Sequence, residues 1–477
     1  MSFRKGEEIM ELTKNAYIEA STVYETSLDE EYKKNNGIFY TDLSLSDKII
    51  AELKIPNDAV ILDPCCGAGS FIYSASKRGY KNLYGADKDK SAIKFCNENI
   101  SNAVFKEADT LGQSIDTTLS NLGLSKKPNF IIGNPPYAPL SADTKISEDY
   151  LFCRKVSDSG NNLFIAALFR ALDMIDDKGI ISYIIPKNFL HVSSYGKLRK
   201  EILTEKTIVS IIDIGAYFKN VRGEQIVITI KNSVPDQKHK IKIKKYSANR
   251  FVSQISIPQS FYTNEILLFS CREDFTIYKK LLDSYEHLSD LTGGYVGRGK
   301  STSEDAIVGK DIRKFGYKDR NIPVGGSKIF IQNIYSAEAG IIATFGGNIE
   351  ASQTVTIFTD GDEKMCRFIL GILHSRLCNL FLYKYCFNYS KLTMHTDAKY
   401  LKKIPLPSRG KQTEYFERTL ELVNALETSE YMTQEWFNEL ENLNRVVYLL
   451  YDINEKEANY IDSEMKKIQS KRWYLSE

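Results

Sequence analysis

The sequence predicts an α/β fold with a mainly parallel sheet, followed by a second domain of mixed α+β texture. Three observations carry that reading. Short apolar runs alternate with amphipathic stretches from about residue 37 to 250, a glycine turn follows the first of those runs, and turn residues multiply after about residue 255. Strands that alternate with helices imply βαβ units and a parallel sheet covered on both faces.

Residues 1–36 form a charged helical lead-in, and 37–255 the α/β domain. Its expected strands are Ala59–Leu62, Asn82–Gly85, Phe130–Ile132, Gly179–Ile185, Val209–Ile214 and Gln225–Lys231. Between them lie the expected helices Ser70–Arg78, Lys90–Asn99 and Leu163–Ile175. Gln225–Lys231 and Lys238–Tyr246 leave no room for a helix between them, so a hairpin finishing the sheet is expected. The second domain, 256–477, offers short strands at Lys328–Ile334 and Ile341–Phe345 and a helix over Lys364–Tyr385. After Ile404-Pro-Leu-Pro407 comes a helical tail, whose last helix opens on a capping box of Asn454 and Glu457.

Bulk properties bound the function. The 477 residues are 43% hydrophobic and 26% charged, the composition of a soluble globular protein. A net charge of +2 gives no global footprint of a nucleic-acid binder, although the footprint that matters is a local basic face. No apolar run approaches the ~20 residues of a membrane span, and the N-terminus lacks the apolar centre of a secretory signal. Eight cysteines without a CxxC pair and five dispersed histidines point to a reducing cytosol, buried thiols and no metal site.

Two motifs carry chemistry. In Ile61-Leu-Asp-Pro-Cys-Cys-Gly-Ala-Gly-Ser-Phe71 an apolar strand runs through a glycine turn into a helix. Gly67 and Gly69 let the backbone bend and approach a ligand, at the strand end where open α/β sheets bind ligands. Asp87 ends the next strand, where a carboxylate suits ribose hydroxyls; a tight turn with a solvated Asp would read the same way. The second motif, Phe130-Ile-Ile-Gly-Asn134-Pro135-Pro136-Tyr137, is more specific. Its prolines remove N–H donors and leave carbonyl oxygens. An exocyclic amine needs two acceptors for its two hydrogens, and the Asn134 side chain and Pro135 carbonyl can supply them. Tyr137 offers a face on which a base can stack.

Asp63-Pro-Cys-Cys-Gly-Ala-Gly-Ser-Phe71 followed by Asn134-Pro-Pro-Tyr137 resembles the amino-methyltransferases of DNA adenine. Gly37-Ile-Phe-Tyr-Thr41 looks like their N-terminal cofactor motif, and the motif order is that of the γ class, stand-alone type II modification enzymes with a C-terminal target-recognition domain. The resemblance implies a Rossmann-like methyltransferase sheet and S-adenosylmethionine as methyl donor, with no metal. It also implies double-stranded DNA as substrate, a monomer, and a separate cognate restriction endonuclease as partner. Carried over, Tyr40 and Thr41 hold the methionine end of the donor, Asp63, Pro64, Gly67 and Gly69 form its loop, Asp87 binds ribose and Asp109 the adenine amine. Asn134, Pro135, Pro136 and Tyr137 are the catalytic residues, and Phe218 stacks with Tyr137 on the flipped base. Two positions depart from the family pattern: Asp42 where proline is common, and Cys65 where alanine is common.

For DNA, the densest basic stretch is a predicted strand on which Lys240, Lys242 and Lys244 alternate with Ile241 and Ile243; lysines guarding a solvated sheet edge would give the same pattern. Arg298, Lys300, Lys328, Lys391 and His395 are further candidates in the second domain. Rival readings are the modification subunit of a type I system, which needs a specificity subunit and carries a long helical domain before the Gly37 motif, and amino-methyltransferases of RNA or protein. Only 36 residues precede Gly37, which favours self-contained recognition.

Overall fold

The computed structural model describes residues 13–140, 156, 158, 160–218, 223–288, 295–319, 322, 325–390, 394–407 and 413–469. The chain divides into two compact units, Met1–Ile266 and Leu267–Glu477.

The first unit is built on a nine-stranded sheet, ordered β3-β2-β1-β4-β5-β7-β6-β8-β9. Its strands are β1 (Val60–Asp63), β2 (Asn82–Asp87), β3 (Val104–Glu107), β4 (Phe130–Gly133), β5 (Ile180–Pro186), β6 (Thr207–Gly215), β7 (Gln225–Lys231), β8 (Lys240–Ser247) and β9 (Arg250–Pro258). The strands from β3 to β5 are parallel, and β7 is antiparallel to both its neighbours. β1 and β4 are buried almost throughout because they lie at the centre of a sheet covered on both faces. One core gathers Ile61, Ile132 and Ile184 from the sheet with Phe71, Ile72 and Tyr73 from helix α4 (Ser70–Lys77). Helix α5 (Lys90–Asn99) starts where the Asp89 carboxylate accepts from the Ser91 and Ala92 amides. Strand order reverses between β1 and β4, which opens a crevice at their carboxyl ends.

The structure corrects the expected hairpin. β7 does not pair with β8; it inserts between β5 and β6, while β8 lies parallel to β6. The closing hairpin is β8 with β9, so β8 is an inner strand and its lysines guard no edge. The lead-in is also more than a charged helix. Helix α1 (Lys14–Ser27) buries Tyr17, whose ring stacks on Tyr73 at 3.8 Å, and helix α2 (Glu30–Asn36) follows it.

The second unit holds a four-stranded antiparallel sheet, ordered Tyr295–Arg298, Val355–Thr359, Lys328–Gln332, Ala343–Phe345. Helices Thr413–Thr428, Gln434–Leu450 and Glu455–Ile468 follow, the last opening on the Asn454–Glu457 capping box. The single helix expected over Lys364–Tyr385 is broken. Glu363–His374 and the next segment meet at 62°, because Ser375 is extended and its hydroxyl accepts from the Cys378 amide to start a new helix. Among the described residues no single helix is long and apolar enough to cross a membrane.

Candidate active site

A cavity of about 1240 Å³ lies where the sheet order reverses. Asp63 ends β1, Asp87 ends β2, Ala108–Leu111 follow β3 and Asn134 follows β4, and all of these line it. Parallel strands therefore deliver the two sequence motifs to one place from positions some seventy residues apart. Small-molecule sites run to roughly 300–1,000 Å³, so the space is ample for such a ligand.

The glycine loop forms one wall. Asp63 is buried and its Oδ1 accepts from the Cys65 amide at 3.1 Å; burial pushes its carboxyl well up. Asp87 accepts from the Gly67 amide at 2.8 Å and the Asp89 amide at 2.9 Å, which fixes the loop to β2, and burial raises its pKa too. Gly67 has φ +50°, and a Cβ there would stand 3.0 Å from the Tyr40 ring. Gly69 serves a different end from the ligand approach expected of it. With φ +81° it starts α4, and a Cβ would strike Ile100 at 2.8 Å and the Cys96 sulfur at 3.0 Å, so it faces the core. Pro64 offers its carbonyl to the Thr110 hydroxyl at 3.1 Å. Asp109 lines the opposite side, with Oδ1 accepting from the Leu111 and Gly112 amides at 3.2 and 2.9 Å.

The Gly37–Thr41 segment bridges both motifs. Its Phe39 carbonyl accepts from Asn134 Nδ2 at 2.7 Å, and its Gly37 carbonyl accepts from the Tyr137 amide at 3.1 Å. Gly37 has φ +62°, and any Cβ would stand 2.3 Å from the Ala138 nitrogen; only glycine permits this approach. Asn134 is thus oriented with Nδ2 tied to the main chain. Its Oδ1 accepts from the Tyr137 hydroxyl at 2.5 Å, and that hydroxyl also reaches the Ile184 carbonyl at 2.9 Å. The Tyr137 ring packs with Phe39 and Phe164, at centroid distances of 5.7 and 6.3 Å, and burial holds its hydroxyl protonated. Pro136 lines the cavity and Pro135 is buried beside it. Thr41 lines it as well, and its buried hydroxyl has no hydrogen-bond partner among the described residues.

Phe218 closes another side, in edge contact with Tyr217 at 5.5 Å. Asp42 has a structural reason for replacing proline. Its carboxylate caps helix α3 (Leu43–Glu52) through the Ser44 and Leu45 amides and accepts from the Tyr217 hydroxyl at 2.6 Å. Cys65 lines the cavity with its thiol pushed up by burial, so it is no thiolate.

Side chains that the motif reading missed also line this space. Glu25 of α1 lines it, its pKa raised to about 7 by burial, partly offset by Lys33; Tyr24 is not in the lining and packs its ring edge against Tyr40, which is, at 6.0 Å. Tyr17 donates to the Ala68 carbonyl at 2.7 Å. The seven-residue spacing of Tyr17 and Tyr24, two turns on one helix face, was the available signal.

The basic candidates part company. Lys240 and Lys242 are exposed opposite buried Ile241 and Ile243, as alternation requires. Lys244 breaks the pattern at a register shift after Ile243 and pairs with Glu52. In the second unit Arg298 pairs with Asp397 at 2.8 Å, Lys300 and His395 are exposed, and Lys328 is half-buried. Lys391 lies outside the described residues.

With this geometry in hand, comparison with known proteins is informative. Residues 20–256 match the family N-6 DNA Methylase. The type II methyltransferase M.VspI of Vibrio sp. (strain 343) is 29% identical over 226 residues, 46% of this chain and 53% of that protein. Modification methylase CviBIII of Paramecium bursaria Chlorella virus NC1A is 25% identical over 224 residues, 46% of this chain and 55% of that protein. The chain thus spans about half the length of these relatives. Among solved structures, the type IIL restriction-modification enzyme MmeI in complex with DNA aligns over 94% of this chain and 81% of its own, with a TM-score of 0.57 and 12% identity, a likeness of fold. The sheet is the Rossmann-like methyltransferase sheet expected from the sequence, with a mixed α+β unit after it.

Proposed function

We propose that this chain, which carries the N-6 DNA methylase segment over residues 20–256, is a site-specific DNA adenine methyltransferase of a restriction-modification system. It moves a methyl group from S-adenosylmethionine to the N6 amine of an adenine flipped out of the duplex. One observation carries this reading: the Asn134 amide, its nitrogen tied to the Phe39 carbonyl and its oxygen held by the Tyr137 hydroxyl, lies in the same cavity as the glycine loop and Asp87.

The residues present fit the methyl donor. Thr41 brings an unmet hydroxyl to the cavity wall, and Gly67 leaves room there for the Tyr40 ring. Tyr40 and Thr41 would hold its methionine end, the Asp63–Gly67 loop its middle, Asp87 its ribose and Asp109 its adenine amine, with Gly69 acting through the loop's shape. When bound it supplies a methyl group made electrophilic by the adjacent sulfonium.

The chain's own residues do the rest. Asn134 Oδ1 accepts one hydrogen of the target amine and the Pro135 carbonyl the other, which leaves the nitrogen lone pair directed at the methyl. The Tyr137 hydroxyl keeps the Ile184 carbonyl as partner when Asn134 Oδ1 turns to the amine. The Tyr137 and Phe218 rings enclose the base and offset the few kcal/mol that unstacking costs. Transfer is direct, and rate comes from alignment and from acceptors aimed at the charge that develops on nitrogen. Residues 256–477 read the target sequence through Arg298 and Lys300, and Lys240 and Lys242 of β8 add phosphate contacts. The enzyme acts as a monomer beside a separate endonuclease.

The test is methyl transfer from labelled S-adenosylmethionine to unmethylated AT-rich bacterial DNA by the purified chain alone, followed by nucleoside analysis. N6-methyladenine at one repeated sequence is the expected result. Donor binding without transfer to DNA would overturn the self-contained reading in favour of a missing specificity subunit or an RNA or protein substrate.

A further inference from the structure

The two ends of the stretch that carries Phe218 converge on one buried cation. Lys187, 4% exposed, follows β5, and its ammonium stands 2.8 Å from Asp213 Oδ2 and 3.4 Å from Glu224 Oε2. Asp213 lies near the end of β6 and Glu224 immediately before β7, so one side chain clasps the chain on either side of Phe218. The backbone repeats the tie, because the Lys187 amide donates to the Glu224 carbonyl at 2.8 Å.

The clasp continues toward Phe218. Asp213 uses its other oxygen, Oδ1, to accept from the Gly215 amide at 2.9 Å. Gly215 turns with φ +64°, and its carbonyl accepts from the Tyr217 amide at 3.0 Å. Lys187, Asp213, Gly215 and Tyr217 are therefore linked in series, ending at the residue beside Phe218. Removing the ammonium would leave two carboxylates facing each other in a poorly solvated place, and their repulsion would strain the turn beyond the last β6–β7 pair, Gly215 with Gln225. No step of the methyl transfer itself uses Lys187.

We propose that Lys187 is a positioning residue for the target adenine: it sets the place of Phe218 by holding Asp213 and Glu224 together. This rests on the reading of Phe218 as a ring that encloses the flipped base. Misplacing a group that aligns the substrate by about 1 Å costs on the order of a hundredfold in rate.

The test is a double-mutant cycle of Lys187→Met and Phe218→Ala, assayed on unmethylated AT-rich bacterial DNA with labelled S-adenosylmethionine. Lys187→Met is expected to lower kcat on the order of a hundredfold, with donor Kd unchanged by calorimetry. The double variant is expected to lose no more than Phe218→Ala alone. Lys187→Met/Glu224→Gln, which removes one of the repelling carboxylates, is expected to recover part of the rate and serves if the single variant does not fold. Additive losses, a fall in donor affinity matching that in kcat, or unchanged kcat in Lys187→Met would each overturn the positioning role. Full activity in Phe218→Ala would instead overturn the reading of Phe218, and the inference with it.

Discussion

Two polar clusters, one in each unit, are met differently by their surroundings. In the second unit Lys384 and Asp274 are wholly buried, and every group around them is engaged. Lys384 meets Glu464 and the Tyr460 hydroxyl, each at 2.8 Å. Asp274 accepts from the hydroxyls of Tyr385, Tyr389 and Ser270 and from the Ser270 amide. In the first unit Asp63 is buried and Asp87 half-buried beside a large cavity, and the Thr41 hydroxyl has no partner among the described residues. Buried polar groups are nearly always hydrogen-bonded, and the unmet Thr41 hydroxyl is an exception that stands in the wall of that cavity, shut off from solvent. A fully met cluster marks a scaffold.

Substitutions can break that contrast. The largest effect is expected from Asn134→Ala, which removes the acceptor that the proposed reaction aims at the target amine. Methyl transfer should fall on the order of a thousandfold while donor affinity holds; rapid turnover in a filter-binding assay would remove the site's premise. Next comes Lys384→Met, which strands Asp274 and Glu464. It should cost about 3–5 kcal/mol in urea unfolding, and a near-normal midpoint would show the cluster to be dispensable. Thr41→Val should leave the melting temperature in place and weaken donor binding by about 1 kcal/mol, the net worth of one hydrogen bond. Equal calorimetric affinity for the two proteins would mean that the hydroxyl meets nothing.

The smallest effect concerns pH. His374 is buried and neutral, with Nδ1 toward the Leu370 carbonyl and Nε2 accepting from the Ala343 amide. Burial, and then Lys314, depress its pKa well below the ordinary 6.5. The unfolded chain therefore binds the extra proton first, and the stability that His374 confers is present above pH 6.5 and lost as pH falls below it. Calorimetry between pH 8 and 5 should show the second unit weakening on acidification, and less so in His374→Gln. An identical pH slope in the variant would acquit the imidazole.

Much of the first unit was legible because its central strands are buried runs and its ligand loop is local in sequence. β3 escaped notice since only Phe105 is buried among its four residues and Val104 is 39% exposed, so no apolar run exists to be seen. The β7–β8 pairing was misjudged because adjacency along the chain does not fix adjacency in a sheet. In the site, Asn134 was visible but its partners were not: the carbonyls of Phe39 and Ile184 belong to the main chain and leave no trace in residue type. The Lys244–Glu52 pair joins residues 192 apart, beyond the reach of any local pattern.

The bond from Asn134 to the Phe39 carbonyl has a consequence in time as well as in space. An asparagine amide is nearly symmetric in shape and opposite in polarity at its two ends, so a half-turn would put a donor in place of the acceptor at this site. Phe39 is what distinguishes the two orientations, and it is made 95 residues before the side chain it sorts. During synthesis the early segment must wait for β4 to emerge from the ribosome and dock. Between the making of Asn134 and that docking, the growing chain has an asparagine whose sense is unassigned.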